Sequence, residues 1–124
     1  MFREFKTNKA LINGRCRRWF WDDYFDLFIW ETADGRIVSF HLSYDTQARE
    51  RILSWDEKRG FSHGLVDGGE DNPQSNHSPM LKPGGTFPYQ EVVLRFEKSS
   101  PGLDHGVAAL ILEKLHLYNT ATQN

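Results

Sequence analysis

The sequence predicts an α+β fold: an antiparallel β-meander of four to five strands followed by two C-terminal helices packed on the sheet. Three observations lead there. In the first half of the chain, runs of alternating side chains are separated by turn signals every ~8–12 residues, the spacing of strands joined in sequence by short connections. Asp34-Gly35 stands between two of these runs, and such a dipeptide is the strongest short-range hairpin signal. Beyond residue 86 the apolar period lengthens to that of an amphipathic helix.

The chain has 124 residues, a length that suits one domain spanning 1–124. Its parts are a β-sheet part (1–67), a flexible loop (68–85), a helical part (86–118) and a frayed tail (119–124). The first candidate strand is a short edge at FREFK, residues 2–6. DYFDLFIWET, residues 23–32, alternates and is rich in β-favouring aromatics; RIVSFHLSYD follows, with Val38, Phe40, Leu42 and Tyr44 at period two. A two-residue type I′ turn at Asp34-Gly35 would set Glu31 opposite Val38, Ile29 opposite Phe40, Leu27 opposite Leu42 and Phe25 opposite Tyr44. That face is apolar and predicts the core. Tyr24, Asp26, Phe28, Trp30, Ile37, Ser39, His41 and Ser43 then share the second face. RERILSW (49–55) and FSHGLVD (61–67) supply two further strands around a polar turn at 56–60.

Residues 68–85, GGEDNPQSNHSPMLKPGG, are poor in apolar side chains and read as a long, disordered loop, the alternative being a lid that closes a small-molecule pocket. Tyr89, Val92, Val93 and Phe96 then fall on one helical face, with Thr86 as a cap and Pro88 in the first turn. A strand through Val92, Leu94 and Phe96 is the competing reading. Asp104 suits the N-cap of a second helix whose stripe is Val107, Leu110, Ile111, Leu115 and Tyr118.

Composition narrows the function. The formal net charge is −2, and the basic cluster Arg15, Arg17 and Arg18 is followed by Asp22, Asp23 and Asp26, so no field collects phosphates and no nucleic-acid partner is expected. The lone Cys16 can form no internal disulfide, which suits a reducing cytoplasm. No run approaches the ~20 apolar residues that span a bilayer, so no membrane partner is expected. Of the 9 Phe, 4 Tyr and 4 Trp, most precede residue 62, a front-loaded aromatic block.

RRWFWDDYFDLFIW (17–30), continuing through GRIVSFHLSYD and RERILSW to FSHGLVDGGE, resembles a family of short, uncharacterised bacterial proteins. The resemblance implies a bacterial, cytoplasmic protein and assigns no catalytic residue.

Three constellations bear on chemistry. Asp22 and Asp26, placed by strand alternation beside Tyr24, Phe28 and Trp30, form a carboxylate pair suited to acid–base work or to a hard cation; the alternative is a solvated stretch with Asp22 or Asp23 paired to Arg17 or Arg18. His41 lies opposite Phe28 and diagonal to Asp26. If Leu53 pairs with Leu42, and Ile52 with His63, then Asp26, His41, Ser43 and His63 gather within ~5–10 Å. No G-x-S-x-G elbow accompanies these serines, so a nucleophile triad is not expected. The histidines show no metal-ligand spacing, and no glycine motif cradles phosphate; no cofactor is expected. The residues assigned to ligand binding are Trp21, Asp22, Tyr24, Asp26, Phe28, Trp30, His41, Ser43 and His63. The expected function is a non-catalytic binding module whose aromatic and polar sheet face takes a small-molecule ligand or a second copy in a homodimer. The alternative is a small enzyme using Asp26 with His41 or His63 as acid and base. In a third arrangement each helix buries one face of the sheet.

Overall fold

In a computed structural model of the chain, residues 1–5, 14–65 and 86–122 are described. They form a sheet of six antiparallel strands, one more than the largest number expected, in the order β1 (Arg3–Phe5), β2 (Arg15–Trp21), β3 (Phe25–Thr32), β4 (Ile37–Tyr44), β5 (Arg51–Asp56) and β6 (Gly60–Leu65). Each strand pairs with its neighbours in sequence. Two helices follow, α1 (Tyr89–Ser99) and α2 (His105–Ala121), joined through a 3-10 turn at Ser100–Gly102. The loop expected over 68–85 lies outside the described residues.

The additional strand is β2. RCRRWFW alternates, but its mixture of arginines and aromatics hides the period: Cys16 and Phe20 are buried while Trp19 and Trp21 are half-buried. The turn at Asp22–Tyr24 separates β2 from β3, so the single run assumed through residues 23–32 starts two residues late, at Phe25.

One sheet face is the core. Phe20, Leu27, Leu42 and Leu53 oppose one another across β2–β5, and Ile29 and Phe40 extend the same face. Both helices cover this face, through Val92 and Phe96 of α1 and Val107, Ile111 and Leu115 of α2, all buried in one cluster with it. Phe96 lies edge-on to Phe25, ring centroids 5.9 Å apart, and the Lys114 ammonium sits 4.5 Å from the centre of the Trp55 ring. Burying some sixteen large side chains, at ~1.5–3 kcal/mol each, is the main force holding helices to sheet. The arrangement with one helix on each face is therefore overturned.

The β3–β4 hairpin keeps its expected register but reaches it differently. Ile29–Phe40, Leu27–Leu42 and Phe25–Tyr44 pair as expected, whereas Glu31 pairs with Ile37 rather than Val38, a shift that turns Ile37 from the expected second face to the core side. The loop has three residues: the Gly35 N–H donates to the Thr32 carbonyl at 2.9 Å, the Thr32 N–H donates to the Arg36 carbonyl at 2.9 Å, and only Gly35 takes a positive φ, 89°. This is a type I turn closed by a left-handed glycine, not a type I′ turn. The Thr32 hydroxyl donates to the Asp34 carboxylate and favours it. A bulge at Val38 then absorbs the odd residue.

Helix starts also differ from expectation. α1 begins at Tyr89 behind Pro88, with no side-chain cap, so Thr86 does not serve. Asp104 does occupy the N-cap of α2, but its carboxylate does not bond the helix. It accepts instead from the Arg18 guanidinium at 3.0 Å, alongside Glu4 at 2.8 Å and Glu31 at 3.4 Å. The three carboxylates raise the Arg18 pKa further, Glu4 most, and this cluster ties β1, β2, β3 and α2 together. α2 continues to Ala121, through the first residues of the expected frayed tail.

Candidate functional site

Strand register assigns the second face row by row. Arg17, Trp30, Ser39 and Asp56 form one row; Phe5, Trp19, Phe28, His41, Ser54 and Ser62 the next; Arg3, Trp21, Asp26, Ser43 and Ile52 the third. Among the described residues no helix lies on this face. Its rings run as a ladder across four strands. Phe5 and Trp19 centroids are 4.9 Å apart, Trp19 stacks on Phe28 at 5.4 Å and 12°, Phe28 leads to Trp30 at 6.4 Å, and Trp30 meets His41 edge-on at 4.7 Å. Phe5 remains 49% exposed, among the most exposed large apolar side chains described. The Arg17 guanidinium lies over Phe28 at 5.1 Å, and that of Arg3 over Trp21 at 5.7 Å, a placement in which the cation meets the negative face of the ring.

Polar groups border the ladder. The Trp19 indole N–H donates to Asp26 Oδ1 at 3.2 Å. Burial raises the Glu50 pKa, a hydrogen bond with Ser43 opposes the rise, and the Asp26 charge adds to it. Asp26, Ser43 and Glu50 thus form an acidic patch beside the rings. Burial lowers the His41 pKa, partly offset by Asp56, so its imidazole is neutral near pH 7. The partners of Asp26 and His41 are different groups, an indole and a tryptophan ring edge, although the two side chains share a face.

His63 is elsewhere. It pairs with Leu53, and Gly64 takes the place opposite Ile52, so the expected Ile52–His63 register is off by one. A slip of one residue moves a side chain to the other face, and His63 joins the core side. The cause is the β5–β6 turn: Asp56 Oδ1 accepts from the Lys58 and Arg59 N–H groups, Gly60 adopts φ 80°, and Asp56 pairs with Gly60. The grouping of Asp26, His41, Ser43 and His63 is accordingly replaced by Asp26, Ser43 and His41 on one face and His63 on the other. There His63 Nε2 and the Tyr44 hydroxyl share a 2.6 Å hydrogen bond, with Phe87 and Tyr118 packed around the imidazole. Burial, reinforced by the Arg51 charge, lowers the His63 pKa to about 4, and burial raises that of Tyr44.

Asp22 and Tyr24 also leave the second face. Asp22 Oδ1 accepts from the backbone N–H of Tyr24 at 2.8 Å and of Phe25 at 2.7 Å, while its other oxygen accepts from the Ser99 hydroxyl at the end of α1. The carboxylate closes the β2–β3 turn and fastens it to the helix. It is neither paired with Asp26 nor held by Arg17 or Arg18. The Tyr24 ring packs against Phe25 and under the Arg95 guanidinium at 4.2 Å. Trp21, Asp22 and Tyr24 meet instead around a cleft of about 390 Å³, lined also by Arg3, Arg95 and Lys98.

Of the nine residues assigned to ligand binding, Trp21, Asp26, Phe28, Trp30, His41 and Ser43 share one surface. Phe5, Arg17 and Trp19, which complete it, were not among them; the alternation within residues 15–21 carries that information once Cys16 and Phe20 are read as the inward pair. No group of three or more His, Cys, Asp or Glu suited to a metal ion occurs among the described residues, and no helix among them is long and apolar enough to cross a membrane. No family model, curated protein or solved structure matches the chain.

Proposed function

We propose that the protein is a non-catalytic binding module whose working surface is the sheet face away from the helices. One observation carries this reading: the Phe5–Trp19–Phe28–Trp30–His41 ladder, contiguous over four strands and uncovered by either helix. Isolated apolar side chains on a surface are ordinary, but a contiguous apolar patch with a polar border marks an interaction site. Aromatic rings bury large area with few rotamers to fix, and Arg17, Asp26, Ser43 and His41 supply direction at the rim. Acid–base chemistry gains no support here. It requires an imidazole and a carboxylate in contact with one another or a shared water; Asp26 is bonded to Trp19, His41 packs on Trp30, and His63 is behind the sheet.

Thermal unfolding of the wild type and of Trp30→Ala, measured over a hundredfold range of protein concentration and with a panel of small aromatic and polar compounds, tests the reading. A Tm that rises with protein or ligand concentration in the wild type and not in Trp30→Ala is expected. A wild-type Tm that responds to neither would overturn it.

A further inference from the structure

We infer that the surface which covers this face is the same face of a second copy of the chain, packed about a two-fold axis that runs parallel to the strands between β3 and β4. The inference rests on the binding reading above and commits it to one partner.

The face is divided in two. Its β1–β3 half carries the bulk: Phe5, Trp19, Trp21, Phe28 and Trp30. Its β4–β6 half carries Ser39, His41, Ser43, Ile52, Ser54 and Ser62. Charge is divided in a related way. Arg3, Arg15 and Arg17 stand on β1 and β2, while Asp26, Glu50 and Asp56 belong to β3, the β4–β5 connection and β5. A surface so halved is poorly suited to a flat apolar partner and well suited to its own image turned over.

Two face-to-face orientations decide the axis. A two-fold axis along the strands preserves each row and reverses strand order, so β3 lies over β4 of the second copy and β2 over β5. Trp30 then lies over the small Ser39 position, whose hydroxyl is tucked against the Trp55 carbonyl, Phe28 meets His41, Asp26 meets Ser43, Trp19 meets Ser54 and Trp21 meets Ile52. Arg17 meets Asp56. Apart from Phe28 on His41, each large side chain faces a small or apolar one, and Arg17 faces an anion. An axis across the strands keeps strand order and reverses rows; it sets Trp19 on Trp19 and Phe28 on Phe28, and stacks the arginine-bearing strand on itself. The first arrangement is the complementary one. It is also isologous and closed, so it ends at two copies, and it matches the aligned packing of β-sandwiches, in which inner faces interdigitate ~10 Å apart.

The size is adequate. Five spacings of ~4.8 Å across six strands, by ~26 Å along an eight-residue strand, give a flat footprint of about 600 Å² per copy. That footprint falls at the low end of standard interfaces, which bury ~600–1,000 Å² per partner. Arg17 and Asp56 retain local contacts, Phe28 for the first and the β5–β6 turn for the second, so the pair across the axis needs little rearrangement.

The test is a size swap in the full chain, followed by sedimentation velocity from 1 to 200 μM together with iodide quenching of tryptophan fluorescence. The wild type is expected at twice the 14.4 kDa chain mass, with quenching that falls as dimer forms. Ser54→Trp sets indole against the Trp19 indole of the second copy and is expected to weaken association at least tenfold. The double variant Trp19→Ser/Ser54→Trp exchanges large for small across the axis and is expected to recover most of it. Circular dichroism identifies any variant that fails to fold, and in that case Arg17→Glu, which sets a carboxylate against Asp56 of the second copy and is expected to weaken association at least tenfold, takes the place of Ser54→Trp; Leu94→Trp, exposed on α1 away from this face, is the folded control expected to leave association unchanged. A wild type that is monomeric throughout overturns the inference, as does a dimer indifferent to Ser54→Trp. The quenching arm separates the two levels of argument. A monomer with quenchable tryptophans leaves the binding face open for a different partner, whereas a monomer with protected tryptophans shows the face covered by the chain's own remaining residues and overturns the binding reading as well.

Discussion

Acid should weaken this protein through His63, and the size of the effect follows from its surroundings. An unfolded histidine titrates near 6.5; in the fold, burial among Tyr44, Phe87 and Tyr118 and the charge of Arg51 bring His63 to about 4. Between these values the unfolded chain holds more protons than the folded one, so stability rises with pH. The contribution is complete above pH 6.5 and is lost as pH falls toward 4. At 1.36 kcal/mol per pH unit the full loss is ~3 kcal/mol, and between pH 7 and pH 5 it is ~2 kcal/mol. Partial exposure of the imidazole to solvent reduces the expected figure to between ~1 and ~2 kcal/mol. His63→Gln keeps a polar partner for the Tyr44 hydroxyl and removes the titration. Urea unfolding of both proteins at pH 7, 6 and 5 isolates the effect, because carboxylates and His41, whose pKa is also lowered, titrate alike in each. The wild type should lose ~1–2 kcal/mol more than the variant over that range. Parallel losses, or a wild type that gains on the variant in acid, would refute the reasoning.

Two further predictions concern the frame. Asp22→Ala removes the acceptor for two backbone N–H groups and for Ser99 and should cost ~2–4 kcal/mol in denaturant unfolding, since bonds to a charged group contribute more than neutral ones; Asp22→Asn keeps the Oδ1 acceptor and should cost less than half as much, and equal costs would argue against the turn-closing role. Gly102→Ala sets a methyl 2.0 Å from the Phe2 carbonyl oxygen, where backbone must move, and should cost ~2 kcal/mol or more by overpacking. Gly106→Ala, with no atom within 4 Å, lies in the first turn of α2 and should stabilise by up to ~1 kcal/mol; thermal denaturation of the pair reads both signs in one experiment.

The fold class was legible in local pattern because the governing signals are themselves local. Phe25, Leu27 and Ile29 alternate against Phe40, Leu42 and Tyr44, and no other register buries all six. Both helices announce themselves through Val92 and Phe96 and through Val107, Ile111 and Leu115. What eluded sequence was whatever depends on one residue more or less. The β5–β6 turn has three residues between Asp56 and Gly60, and that count alone sends His63 behind the sheet. Asp22 looked like a strand residue because the aromatics around it continue the alternation and mask the turn its carboxylate makes with the Tyr24 and Phe25 N–H groups, and its bond to Ser99, distant in sequence, has no local sign. Arg18 was grouped with Arg15 and Arg17 as surface charge, yet its guanidinium is enclosed by carboxylates from three other elements. Such long-range polar partners leave no periodic trace.

The hairpin tip has a consequence for how this chain can change. Its three-residue loop and the Val38 bulge are equal and opposite departures from an ideal ladder, so the pairs below Trp30 sit where a two-residue loop with no bulge would also put them. Two loop geometries therefore end on one frame. The tip acts as a slip joint: inserting or removing a residue there can be taken up within four or five positions, while the aromatic rows farther down the strands stay aligned. Variation in length at residues 32–38 is thus compatible with an unchanged aromatic face, and a tag or a longer loop placed there would leave the lower rungs of the sheet in step.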